Sequence, residues 1–123
     1  MTAPNLGNAT TITGSAIQVS LTNTSATSLC SNASASAHSF KIESIMVANT
    51  SSSAANITIN VYSAASLGGT AFPIASTISV PPNASLIVVD KTNSFYLLEN
   101  QSIGATAGTA NALVVLASWE DIS

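Results

Sequence analysis

The chain has 123 residues, enough for one domain with its own core and too few for two ordinary ones. Only 6% of them are charged, against about a quarter in a typical soluble domain, and the formal net charge is −3 with Lys41 and Lys91 as the only cationic side chains. Two lysines cannot displace the counterions on which nucleic-acid binding rests, nor can they form a polybasic membrane patch, so neither nucleic acid nor membrane is an expected partner.

No stretch approaches the roughly 18 consecutive apolar residues of a membrane-spanning helix. The start, Met1 to Gly14, has neither a basic cluster nor an apolar run, so no secretory leader is expected there. Cys30 is the single cysteine and cannot form an internal disulfide. It is expected to be a small buried hydrophobe in a protein made in a reducing cytoplasm.

Residues 1–8 read as an extended arm and residues 9–123 as one β-sandwich domain. The hydrophobic total is 46%, but much of it is alanine, so the core is expected to lean on Phe40, Ile42, Val61, Phe72, Tyr96, Leu98 and Trp119. The dominant period is two. Strands are predicted over 9–21, 26–30, 37–48, 55–63, 72–80, 84–89, 94–98, 101–107 and 111–121. Ile57, Ile59 and Val61 alternate with Thr58, Asn60 and Tyr62, as do Leu113, Val115, Ala117 and Trp119 with Val114, Leu116 and Ser118. The alternation breaks at Glu43-Ser44, which predicts a bulge. The run Leu86 to Val89 suits burial on both faces.

The breaks between strands have turn chemistry: Asn49 to Ser53, Leu67 to Thr70, Pro81-Pro82-Asn83, Asp90 to Ser94, Glu99 to Gln101 and Gly108 to Asn111. Eight or nine short strands at such spacing predict an all-β, single-domain antiparallel β-sandwich of jelly-roll type. Charges normally guard exposed sheet edges, and this chain has few to place there. Either its edges are covered by partner subunits, which is the favoured expectation, or the chain is unusually prone to aggregate.

Candidate chemistry is thin. Cys30 and His38 as a nucleophile pair are eight residues apart with no supporting third group. Asp90, Glu120 and Asp121 lack the spacing of a calcium loop, and one Cys and one His do not make a zinc site. Phosphate-binding glycine loops are absent. No catalytic residue, metal or cofactor is expected. The Asn-x-Ser/Thr triplets at Asn8, Asn23, Asn32, Asn49, Asn56, Asn83 and Asn100 are read as composition. Trp119 with Phe95-Tyr96 suits core or interface packing better than a sugar groove. Lys41 and Glu43 share one face of a strand, either as its polar face or as a pair at a subunit boundary. The uncharged stretch Thr10, Thr11, Ile12 and Thr13 suits strand pairing with a neighbour. These residues, with Lys41, Glu43 and Trp119, form the candidate interface.

The stretch from Val47 through Phe72, and the ending with Val80-Pro81, Ser85-Leu86, Leu98-Glu99-Asn100, Thr109 to Leu113, Glu120, Ile122 and Ser123, resembles a pattern in small structural proteins of tailed bacteriophages, notably those of cyanobacteria. The Ala117-Ser118-Trp119 segment departs from it, where a tyrosine or glycine is expected nearby. The resemblance implies a non-enzymatic virion protein of the capsid decoration or cement type. Such a protein sits on the head surface and clamps the major capsid protein, as a homotrimer by analogy with threefold lattice positions. A neck, tail or fibre component that binds a host surface or glycan is the alternative.

Overall fold

The computed structural model describes residues 6–123. Leu6–Asn8 form one 3-10 turn, and residues 1–5, most of the expected arm, lie outside the described residues. Nine antiparallel strands follow: β1 Ile12–Ser20, β2 Thr27–Asn32, β3 Ser39–Asn49, β4 Ala55–Ala64, β5 Gly68–Val80, β6 Ser85–Val89, β7 Phe95–Leu97, β8 Gln101–Ala107 and β9 Leu113–Ile122. The one boundary that moves far is the start of β5. Gly68 is not merely a turn residue but already pairs along β4, opposite Ala64. Gly69 has φ +70, and a Cβ there would lie 2.3 Å from the Ser63 hydroxyl, so only glycine lets the chain double back this tightly.

The strands form two sheets. One has the order β1-β9-β3-β6, with β7 continuing beside β3 where β6 stops; the other has the order β2-β8-β4-β5. Most successive strands switch between the sheets, the arrangement of a jelly roll. Side chains of alternate residues meet between the sheets: Ile42, Ile45 and Val47 of β3, Ile57 and Ile59 of β4, Ile103 and Ala105 of β8, and Val115 of β9 are all buried. Glu43 is the extra residue where β3 slips against β9, between Ile42 and Ser44, as the broken alternation predicted.

The core is aliphatic, and this corrects the expectation drawn from size. Of the seven bulky residues singled out, only Ile42 is fully buried. Phe40, Val61 and Trp119 pack partly against the core, while Phe72, Tyr96 and Leu98 are exposed. Phe72 sits on an edge strand of its sheet, β5. Tyr62 was missed. It lies across Gly104 on the outer face of the second sheet, where a Cβ on Gly104 would stand 2.8 Å from Leu67 Cδ2 and 3.1 Å from Tyr62 Cε2. The run Leu86–Val89 is not buried on both faces either. β6 is an edge strand, and Ile87 is exposed.

Two buried asparagines tie the sheets together. Asn49 donates from Nδ2 to the carbonyls of Ser53 (2.8 Å) and Val80 (2.9 Å), and its Oδ1 accepts from the Ser51 amide. It thereby links β3 to the end of β5. Asn32, at the end of β2, donates to the carbonyls of His38 (2.9 Å) and Leu97 (3.2 Å) and accepts from the Ser36 hydroxyl. A buried amide satisfied on both sides contributes stability without leaving an unpaired polar group.

Candidate functional site

The titratable groups do not converge on a catalytic arrangement. Cys30 faces the core, where burial, with the charge of Asp121 adding to it, pushes the thiol up to about 12. A thiol held so far above neutrality is not a nucleophile. His38 does not pair with it. Its Nδ1 lies 2.6 Å from Oδ1 of Asp121, a partner 83 positions away that spacing did not reveal. The His38 ring meets Phe40 edge-on at 6.3 Å, and Phe40 stacks at a tilt on Trp119 at 6.2 Å. Trp119 therefore belongs to an aromatic corner at the start of β3 and the end of β9. Phe95 pairs with Ile42 from the far side of β3 while Tyr96 points outward, so no aromatic groove is formed.

Asp90 and Asp121 are separated in the fold. Asp90 caps its own turn, accepting from the Thr92 amide (2.9 Å) and hydroxyl (2.5 Å), and these bonds hold its carboxyl below the usual carboxylate range. Among the described residues no group of three or more His, Cys, Asp or Glu side chains could hold a metal ion. Among them, too, no helix is long and apolar enough to cross a membrane. Glu99 is buried. Its Oε2 accepts from the Ala37 amide at 2.8 Å, and its Oε1 has no hydrogen-bond partner. It pins the β2–β3 loop, in which Ala35 and Ala37 both take positive φ.

Lys41 and Glu43 form an ion pair within one strand, 3.5 Å apart and partly exposed. Thr10 and Thr11 donate their amides to the carbonyl of Ser123, and Ile12 and Thr13 pair with Ile122 and Asp121 of β9. One edge of this stretch is therefore used inside the chain and the other faces outward.

The most distinctive surface was not anticipated. On one side of the sandwich the two sheets fail to close, and β5 and β6 flank an apolar cleft of about 220 Å³ lined by Ile74, Ala75, Ile78, Leu86, Ile87 and Val88. Ile87 is 61% exposed, and Phe72, further along β5, is 56% exposed. Register slips place extra residues beside the cleft: β5 slips three times against β4, and β6 skips Val88 against β3. Such bulges re-aim side chains and end regular pairing. Neither strand carries a charged residue. The sequence signal was present in Phe72, Ile74 and Ile78, apolar residues on a strand next to a proline-rich turn.

No family model matches the chain, and no curated protein matches it. Among solved structures, a chain from a study of Bacillus endospore appendages, described as a novel family of disulfide-linked pili, superposes with a TM-score of 0.53 at 18% identity. The match covers 99% of this chain and 95% of that one. At this identity the likeness is one of fold.

Proposed function

We propose that the chain is a non-enzymatic structural subunit that works by packing against other subunits on the outside of a larger assembly. The observation that carries this reading is the pairing of an uncharged set of sheet edges with an open apolar cleft, on a fold whose titratable groups are dispersed. Burial of apolar area and strand pairing supply the binding energy, with ion pairs contributing little. In its finer form the assembly is a bacteriophage head. The chain is a decoration or cement protein, trimeric on the lattice, that clamps adjacent major capsid proteins.

A second reading, a subunit of a filamentous appendage, is favoured by the end-to-end fold likeness to the pilus chain. The chemistry of linkage would differ. A row of subunits joined by disulfides needs two cysteines in each, and this chain has only Cys30, which is buried. Its contacts would form without disulfides and survive reductant.

The experiment is electron microscopy of the purified chain, alone and mixed with undecorated heads, joined to quantitative mass spectrometry of particles. A copy number near that of the major capsid protein, or a simple lattice fraction of it, supports decoration. Filaments from the chain alone, unchanged by dithiothreitol, support the appendage reading. A chain that neither assembles nor enters any particle overturns both.

A further inference from the structure

Five strands leave an edge unpaired among the described residues: β1, β6 and β7 in one sheet, β2 and β5 in the other. Four of them are short or carry devices that blunt strand addition. β5 has Pro73 and three register slips, β6 has five residues and a slip, β7 has only three residues, and β2 has six residues and a slip between Ser28 and Cys30. β1 has none. It pairs with β9 from Ile12 to Ser20 without interruption and contains no proline and no charge. The regular ladder extends further, with Thr11 and Ser123 exchanging bonds at one end and Leu21 donating to Leu113 at the other.

That ladder also fixes what faces outward. Hydrogen-bonded pairs alternate along an antiparallel ladder. Thr11 and Leu21 point their backbone groups at β9, and so does every second residue between them. Ile12, Gly14, Ala16, Gln18 and Ser20 therefore present their N–H and C=O groups to the open edge, along about 30 Å.

We infer that β1 pairs antiparallel with β1 of a second copy of this chain, about a two-fold axis at Ala16, joining the two sheets into one. The proposal rests on the structural-subunit reading and names one of its contacts. A two-fold contact requires a surface that complements itself. In this register Ala16 faces Ala16, Gly14 faces Gln18, and Ile12 faces Ser20, so every outward donor meets an outward acceptor and no like charges meet. On the inner face Thr13 stands across from Val19, and Ser15 from Ile17. Ile17 and Val19 are only partly buried in the single chain, and the added strand covers them further. Ile12, 64% exposed, gains a neighbour as well.

The test is the mass of the full chain in a dilution series, read by sedimentation. Ala16 is exposed, so charge at this position leaves the core intact. Ala16→Lys and Ala16→Glu each put like charges face to face on the axis and should weaken self-association by roughly two- to fivefold. Mixing the two variants in equal amounts should restore it, because opposite charges then meet. Ala16→Cys should form an interchain disulfide on oxidation, since directly opposed residues lie within bridging distance and Cys30 is buried. Thermal midpoints equal to the wild type's at dilutions where all are monomeric report that the variants fold.

The inference is overturned if the wild type stays monomeric, if the charged variants associate as the wild type does, or if mixing restores nothing. A monomer in solution whose attachment to particles is lost with Ala16→Lys assigns the edge to a strand of the shell and overturns the second copy as occupant. Assemblies indifferent to Ala16 defeat this contact alone. The structural role itself fails only when no assembly contains the chain.

Discussion

The two open sides of the sandwich are built on opposite principles. On the side of β1 the backbone is regular and its outward groups are free for pairing, while most side chains there are small or polar, with Ile12, Ile17 and Val19 between them. On the side of β5 and β6 the backbone is interrupted by Pro73 and by slips, while the side chains are large and apolar. A protein with so few charged residues cannot guard its edges with lysine, and here geometry takes over that task on one side. The guarded side then offers shape and apolar area, and the unguarded side offers hydrogen bonds. One fold thus presents two chemically distinct surfaces, which would suit the proposed role as a subunit with more than one neighbour.

Both sides depend on the aliphatic layer between them. The largest effect is expected from Ile59→Ala on β4, which pairs with Ala75 of β5 and is fully buried. Deleting such a side chain from a packed core costs about 2–5 kcal/mol. Urea denaturation should show that loss at an unchanged m-value, with both sides weakened together. The next is Asn49→Ala. Asn49 holds the chain between β5 and β6 through its bonds to the Val80 carbonyl and, from its own amide, to the Ala84 carbonyl. Removing its side chain leaves the buried Val80 carbonyl without that partner and is expected to cost about 1–3 kcal/mol. Hydrogen exchange should quicken around Val80–Ser85 and stay slow along β1, which separates the two sides. Equal loosening of both would show that they form one cooperative unit.

Much of this fold was legible locally. Period-two alternation placed the strands, and Asn83, Asn100 and Asn111 take positive φ at the turns that residue chemistry predicted. The bulge at Glu43 was legible because it breaks a local pattern. What failed depends on the facing sheet. Phe72 lies on an edge strand and is 56% exposed, a consequence of strand order that no window of sequence contains. The same holds for His38 and Asp121, brought together only because β3 pairs with β9. The cleft joins two edges from different sheets, so its apolar residues read as ordinary strand residues until the sheets are in place.

Ile78→Ser in the cleft sharpens the contrast in another way. Ile78 is 40% exposed, so the substitution is expected to move stability by less than about 1 kcal/mol while weakening attachment to whatever packs there. Measured beside Ala16→Lys, it should leave β1 pairing unchanged if the two sides act independently.

The smallest effect is expected from Lys41→Met. Lys41 lies on the outer face of β3, opposite Glu120 on β9 and Tyr96 on β7, away from both open sides. Its pair with Glu43 is partly exposed and spans a bulge within one strand. An exposed pair of this kind contributes between about zero and 1 kcal/mol, and less as salt rises. Thermal unfolding in low and high salt should therefore barely separate the variant from the wild type. If Lys41→Met instead weakens assembly as strongly as Ile78→Ser, the charged end of β3 is itself a contact, and the division of labour between a hydrogen-bonding side and an apolar side is too simple. A null result leaves this pair without a role in assembly, as a surface of only two lysines and four acidic residues leads one to expect, Glu99 being buried.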